Sequence, residues 1–392
     1  MECYQDATDV VRSGNPQNPV FCVRPAAATR AARWFAGRFP GTSFYAVKAN
    51  SAPWLIAALG RGGIDHFDVA SIKEARLMRG LAPHATLGFM HPVKSPEAIA
   101  EAYFDHGVRI FALDSADELD KIVRATSRAR DLTLCIRLSV PGRWSKIPLA
   151  TKFGVSGAEA IALLNQARQV AQRLGASFHV GSQAMLPSAF TDALAIVRRA
   201  IVDSGVIVDV LDVGGGFPSA YPGMIPPPLD HFVAEIERAF ETSMLVPENC
   251  ELWCEPGRAL AAEAASLIVR VEHRRGASLH INDGVFGALF DAGTLAWPYP
   301  VRRLGAVDPA VPFAAFSFYG PTCDDADVMQ GPFMLPESIR PGDHIEIGML
   351  GAYGAAMRTD FNGFATHEEV EVADPPMYTQ FGPAEAVAAT RT

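Results

Sequence analysis

From the N-terminus to about residue 260, short apolar runs alternate with longer stretches whose apolar positions recur every three or four residues. The runs are Pro19–Val23, Ser43–Val47, His66–Ala70, Thr86–Phe89, Arg109–Leu113, Leu132–Leu138, Ser177–Val180, Val208–Val213 and Glu251–Cys254. Their length and their β-branched and aromatic content predict strands. The stretches between them predict helices over Ala26–Phe39, Ser71–Arg79, Ala116–Arg128, Gly157–Leu174, Ala189–Ser204 and Leu229–Thr242. Ser71-Ile72-Lys73-Glu74 is a capping box, the S-x-x-E start signal of a helix. Strands alternating with helices predict a parallel sheet with helical crossovers. Eight or nine such units over some 240 residues match a (β/α)8 TIM-like barrel; a doubly wound open sheet is the alternative.

Past residue 262 the pattern changes. Leu267–His273, Ser278–Asn282, Ala314–Tyr319 and His344–Gly348 read as strands separated by Gly/Pro turns, which predicts a mostly β second domain, a sandwich or barrel. Length agrees, since 392 residues exceed what a single core usually supports. The last dozen residues, rich in Ala and Thr, predict a loose tail.

Composition narrows the function classes. Hydrophobic residues make up 49% and charged residues 20%, as in a folded globular protein. The net charge of −9 argues against nucleic acid or an anionic membrane as the main partner. No apolar run reaches the roughly 18 residues of a membrane helix. The start, MECYQDATDV, is acidic without an apolar segment and does not read as a signal peptide, so a cytoplasmic protein is expected. Six scattered cysteines do not suggest a disulfide framework. Cys250 and Cys254 are the only close pair and no second pair completes a metal site, so buried thiols and no metal are expected.

Six strand candidates deliver a polar residue or a glycine patch near their C-terminal ends: Lys48, Asp68, Arg137, His179, Gly214–Gly216 and Glu255. In a βα barrel that is the face on which active sites are built. Each residue alone has two readings. Lys48 fits a desolvated amine that attacks a carbonyl, or a lysine that snorkels to water. Gly214-Gly215-Gly216 fits an anion cradle or a tight turn. Glu255 and Arg258 fit a ring-nitrogen partner and a phosphate ligand, or a structural ion pair.

Taken in order, FYAVKAN, FDVAS, SFHVGSQ, LDVGGGFP, CEPGR, YGPTCDDAD and GAYG resemble the fold-type III pyridoxal 5′-phosphate decarboxylases, the ornithine decarboxylase branch above all. The resemblance runs from about Val20 to Phe364. It implies a cofactor-binding (β/α)8 barrel over residues 20–262. Residues 1–19 and 263–392 would form the β domain. It implies that Lys48 forms the Schiff base, with Asp68 nearby and His179 stacked on the pyridine ring. Ser182, Gly214, Gly215, Gly216, Gly257, Arg258 and Tyr353 would surround the phosphate, and Glu255 would hold the ring nitrogen. Arg137 and Lys152 match barrel residues of largely structural role, Arg137 among those around the cofactor. Cys323 and Asp324 match a proton donor and a substrate-facing acid supplied across a homodimer, with Asp291 as a second acid. Asp325, where many members carry glycine, and the Arg143–Pro148 stretch, which reads as an insert, depart from the pattern.

The implied activity is decarboxylation of a small basic amino acid, L-ornithine to putrescine or L-lysine to cadaverine, in polyamine biosynthesis. An acid at Asp324 favours a cationic far end of the substrate. One methylene separates the two amino acids, worth about 1 kcal/mol in a pocket. The alternatives are a decarboxylase of diaminopimelate, arginine or a carboxylated polyamine, a non-catalytic regulatory homologue, and alanine-racemase-like chemistry.

Overall fold

The computed structural model describes residues 1–243 and 249–382. They form two compact units. The first comprises Ala32–Pro218 and the described part of Pro226–Ala259. The second comprises Met1–Ala31, Ser219–Ile225 and the described residues from Leu260 onward. The expected loose tail lies outside the described residues.

In the first unit eight parallel strands close into a barrel: β1 (Thr42–Ala46), β2 (His66–Val69), β3 (Thr86–Phe89), β4 (Ile110–Leu113), β5 (Thr133–Arg137), β6 (Arg173–Ser177), β7 (Val210–Asp212) and β8 (Glu251–Cys254). The sheet closes where β8 pairs β1 through Trp253↔Thr42. Crossovers to each next strand carry helices, which forces the parallel arrangement. Three helices start alike: the hydroxyls of Ser71, Ser95 and Ser115 accept the backbone N–H groups of Glu74, Ala98 and Glu118. Strands covered on both sides read as continuous apolar runs rather than alternating ones. The barrel is filled by Phe44, Met90, Ile110, Ala112, Cys135, Val210 and Trp253. Each large apolar side chain so buried contributes about 1.5–3 kcal/mol. Gly175 is required there, because a Cβ would lie 2.7 Å from the Cys135 sulfur.

The second unit holds a nine-stranded sheet. It runs in the order Cys3–Tyr4, Glu368–Val372, Val20–Val23, Ala265–Arg275, Ser278–Ile281, Phe313–Tyr319, Val328–Pro336, with His344–Ile347 and Val301–Arg303 branching from Ala265–Arg275. The Arg24 guanidinium is buried in it, 2.9 Å from Glu346 and 2.8 Å from Asp374, with Arg302 on the far side of both acids. Two acids against two arginines leave no buried charge unmatched.

Two expectations need correction. The run Pro19–Val23 is not a barrel strand. Val20–Val23 pairs antiparallel to Ala265–Arg275 and parallel to Glu368–Val372, so the barrel does not begin at residue 20 and Lys48 follows its first strand. A fully buried apolar run looks the same in any central strand, and local pattern cannot assign it to a sheet. The sixth barrel strand is Arg173–Ser177 rather than Ser177–Val180, because the preceding helix stops at Val170; His179 therefore sits in the loop beyond the strand. Within the Arg143–Pro148 stretch, Ser145–Ile147 pairs antiparallel with Ser182–Ala184. No helix among the described residues is long and apolar enough to cross a membrane.

Candidate active site

Parallel pairing brings every C-terminal strand end of the barrel to one face. Lys48 lies in the single 3₁₀ turn Val47–Ala49 that follows β1, and the register Ala46↔Asp68 places β2's acid beside it. Lys48 Nζ is 3.0 Å from Asp68 Oδ2; the acid is 2% exposed and the lysine side chain 45%. Of the two readings of Lys48, this exposure favours a side chain that reaches water over a desolvated one. An ion pair with a buried carboxylate aims it. Lying in a turn just beyond the strand, it escapes the barrel wall that buries Phe44 and Tyr45.

The glycine turn after β7 is dictated by its neighbours. Gly214 and Gly216 have φ of +67° and +103°. A Cβ on Gly214 would lie 2.0 Å from the Phe178 carbonyl oxygen, and one on Gly216 2.5 Å from that of Gly181. A Cβ on Gly215 would meet His179 Nε2 at 2.8 Å, so the imidazole rests against the turn. His179 Nδ1 accepts the Gly181 N–H at 3.0 Å, which assigns the ring proton of the neutral form to Nε2. Burial, then the nearby Arg137 and Lys48 cations, hold the imidazole well below its usual range, hence neutral. Ser182 begins the short strand against Ser145–Ile147, and Gly181 is tight there because a Cβ would strike Ser145 Oγ at 2.1 Å.

Glu255 directly follows β8, is 6% exposed, and its N–H donates to the Gly214 carbonyl at 2.8 Å. Burial, then Asp212 and Asp68, push its carboxyl well above the usual range. Asp212, the last residue of β7, is 1% exposed and is raised to about 6, chiefly by burial. Its Oδ1 accepts the Gly214 N–H at 2.8 Å, its Oδ2 is buried with no N–H or hydroxyl donor, and the Glu255 carboxyl meets its side chain. Arg258, buried, opens the short helix Arg258–Ala261. Gly257 packs 3.1 Å and 3.2 Å, measured from its virtual Cβ, from the Cβ atoms of Ala49 and Ala46, so the CEPGR turn lies on the lysine turn.

Sequence reasoning gave three residues here no part in the site, although it read Glu74 as the end of a capping box. Glu74 reaches back to accept the Ala70 N–H at 2.7 Å and is raised by burial. Asp212 stood inside the LDVGGG motif unused. His91 follows β3, where the strand-end rule should have found it. Its Nδ1 accepts the Val93 N–H at 3.1 Å and its ring edge meets Phe153 at 5.1 Å. Burial, then Lys94, lower its pKa, with smaller pushes from Lys152 and Lys48.

In the second unit, Cys323 and Asp324 are exposed on the loop between strands Phe313–Tyr319 and Val328–Pro336. Asn362 Oδ1 accepts from both the Cys323 backbone N–H, at 3.2 Å, and its thiol, at 3.3 Å. The buried Asp327 carboxylate accepts the Val285 N–H at 2.7 Å, the Thr322 N–H at 3.1 Å and the Thr322 hydroxyl at 2.7 Å. Gly284 and Gly320 have no room for a Cβ because that carboxylate stands 2.1 Å from where each would be. Arg358 pairs with buried Asp283 and donates to the Phe364 carbonyl. Asp291 is buried in the short helix Phe290–Thr294, unlike exposed Asp324. Tyr353 sits in the second unit with φ of +60°. Asn362, Asp327 and Arg358 were not read from sequence, since none lies at a predicted strand end; Asp283 directly follows the predicted strand Ser278–Asn282 and was passed over.

The first unit's residues fit a pyridoxal phosphate: an amine for its aldehyde, backbone N–H groups and Arg258 for its phosphate, and an anionic hollow for a protonated ring nitrogen. The lone Asp212 oxygen and the raised Glu255 carboxyl mark that hollow as short of positive charge.

Residues 26–262 match the family model described as the pyridoxal-binding domain of the pyridoxal-dependent decarboxylases. The lysine/ornithine decarboxylase of Selenomonas ruminantium is 31% identical over 344 residues, 86% of this chain and 84% of that one. Antizyme inhibitor 2 of Xenopus laevis is 30% identical, over 82% of this chain and 73% of its own. The crystal structure of the Paramecium bursaria Chlorella virus arginine decarboxylase bound to agmatine superposes with a TM-score of 0.83 at 25% identity, covering 93% and 98% of the two chains.

Proposed function

The chain belongs to the pyridoxal-dependent decarboxylases, and from that premise we propose that it decarboxylates L-ornithine to putrescine and, as a second substrate, L-lysine to cadaverine, a polyamine-forming reaction. The observation that carries the substrate choice is Asp324, an exposed carboxylate beside the Cys323 thiol. A carboxylate there selects a substrate whose far end is an ammonium. The 31% identical lysine/ornithine decarboxylase supports the same class.

The cofactor supplies an aldehyde for reversible imine formation and a ring that accepts electrons as carbon dioxide departs. The protein's part is binding, orientation and proton custody. Asp68 holds the Lys48 ammonium in place and takes its charge into the buried site. The glycine turn and Arg258 serve the phosphate, and neutral His179 offers a flat face against the ring. Glu255 holds the ring-nitrogen proton. Cys323 donates a proton to the substrate's α carbon through Sγ. Asp324 binds the distal ammonium. As the family resemblance implies, the reading includes a C2 homodimer in which Cys323 and Asp324, in the second unit, serve the partner's barrel.

Steady-state kinetics with L-ornithine, L-lysine and L-arginine side by side test the substrate. A kcat/KM highest for L-arginine would replace this reading with the activity of the viral structural relative. Bound pyridoxal phosphate without turnover of any of the three would favour the non-catalytic role that the antizyme inhibitor relative brings into view. Mixing inactive Lys48→Ala and Cys323→Ala proteins tests the dimer. Hybrid dimers carry one intact site and recover up to about a quarter of wild-type activity if chains exchange at random. Two inactive proteins that exchange chains yet stay inactive would sink the shared site.

A further inference from the structure

Asp212 has a well-defined position and no assigned task. One oxygen is committed to the Gly214 N–H at 2.8 Å, which fixes the plane of the carboxylate and aims the second oxygen. That second oxygen is buried and has no N–H or hydroxyl donor; the side chain that meets the Asp212 carboxylate is the Glu255 carboxyl, which can donate only when it carries a proton. Gly214 is gripped from its other side by Glu255, whose N–H donates to the Gly214 carbonyl at 2.8 Å. Neighbouring strands β7 and β8 thus present two buried carboxyls through one shared residue. The ionisable groups facing the pair from other strands are Asp68, Lys48, Arg137 and neutral His179, with the Cys135 and Cys254 thiols protonated in the wall. Three carboxyls therefore face two cations, and a buried site with one surplus anion takes up a proton.

We propose that Asp212 is a positioning residue for the proton of the ring nitrogen: its buried anion keeps a proton at the Glu255 carboxyl before the cofactor binds and on the ring nitrogen afterwards. In the transfer the Glu255 O–H bond breaks, the ring N–H bond forms, and Glu255 is left as the carboxylate; no electrons change hands. The proposal rests on the reading that Glu255 faces the ring nitrogen. Near Asp212 the pyridinium–Glu255 pair meets a further negative charge, which raises the proton affinity of the pair as a whole. The competing role is mechanical, in which Asp212 only pins the glycine turn.

The experiment loads the full-length protein with pyridoxal phosphate labelled with nitrogen-15 in the ring. It follows the ring resonance, which separates pyridinium from pyridine, between about pH 6 and 9, the span in which a ring nitrogen loosely held by a carboxylate changes state. The wild type should stay protonated throughout. Asp212→Asn keeps an oxygen for the Gly214 N–H but loses the charge. Its ring nitrogen should lose the proton with a midpoint lower by about one pH unit or more, a tenfold loss of proton affinity. An Asp212→Asn protein whose ring titrates like the wild type overturns the proposal and leaves Asp212 the mechanical role. Glu255→Gln is the control for the underlying reading: a ring that stays protonated there shows that Glu255 does not hold the nitrogen, and both ideas fall. Should Asp212→Asn fail to fold, Asp212→Glu keeps the charge while disturbing the turn. Its ring should remain protonated, and loss of the proton in that variant overturns the proposal.

Discussion

The barrel rim and the Cys323 loop cluster hold chemistry in opposite ways. On the rim, each reactive side chain is placed by a strand end. Lys48, Asp68, Arg137, Asp212 and Glu255 lie at or within two residues of a strand's last residue, and sheet register sets their spacing. The Asp212 and Glu255 carboxyls there are buried, close to one another and pushed up by burial. In the loop cluster no strand pairing sets Cys323 or Asp324. Side-chain acceptors, Asp327 and Asn362, hold the backbone N–H groups of loops distant in sequence, and the reactive groups stay exposed. A site built on register tolerates buried charge because its geometry is supported by the whole barrel. A site built on loop–loop hydrogen bonds keeps charge in water and depends on a few acceptors.

If that contrast is right, the two regions fail differently. Lys48→Ala removes a group that no neighbour replaces, and kcat for ornithine should fall by about 10³-fold or more, a loss far out of proportion to the stability cost of leaving the buried Asp68 carboxylate without its partner. Carbon dioxide release and a melting curve check both halves. A Lys48→Ala protein that keeps a tenth of wild-type turnover would remove the rim from the chemistry. Asp327→Ala should do the reverse. It strips three loop donors of their acceptor and should cost about 2–4 kcal/mol, visible as a lower melting temperature. Turnover should fall about tenfold through misplacement of Cys323 rather than loss of a reacting group. Unchanged melting would mean that the cluster is supported elsewhere and that the contrast is overdrawn.

The same contrast decides what the amino-acid sequence discloses. A strand followed by a polar residue or glycines is a local signal, so the (β/α)8 arrangement and the run Lys48, Asp68, His179, Gly214–Gly216 and Glu255 can be read from neighbours in the chain. Val20–Val23 could not be assigned to its sheet, because its partners at Ala265–Arg275 and Glu368–Val372 lie hundreds of residues away and leave no mark on it. Asp327 and Asn362 were missed for the same reason: an acceptor for distant N–H groups looks like any loop Asp or Asn. The burial of Lys48 stayed open between two readings for another reason. Apolar neighbours in sequence bury a strand residue, but a residue in the turn beyond it follows the turn. Asp212 was hidden by its own motif, where three glycines drew the chemistry away from the acid two places before them.

The gentlest test of the contrast lies in stability rather than turnover, and its sign runs against function. The Asp212 carboxyl is raised by burial from an ordinary carboxylate value to about 6 in the folded protein. A raised acid is free of penalty below its unfolded value of about 4, where both states are protonated. As pH climbs to about 6 the unfolded chain releases its proton first, so the folded protein loses stability across that window and carries the full cost above it. Asp212→Asn abolishes the ionisation and keeps an acceptor for the Gly214 N–H. The cofactor-free variant should therefore be more stable than the cofactor-free wild type at pH 7, by about 1–3 kcal/mol, with the gain shrinking as pH falls to about 4. Urea unfolding at a series of pH values measures it. Adding pyridoxal phosphate should narrow the gap, because a cation at the ring nitrogen neutralises the strain that the substitution relieves. An Asp212→Asn protein less stable than wild type at neutral pH would show that the rim's buried acids are compensated within the protein itself, and that the barrel stores no electrostatic strain for its cofactor to discharge.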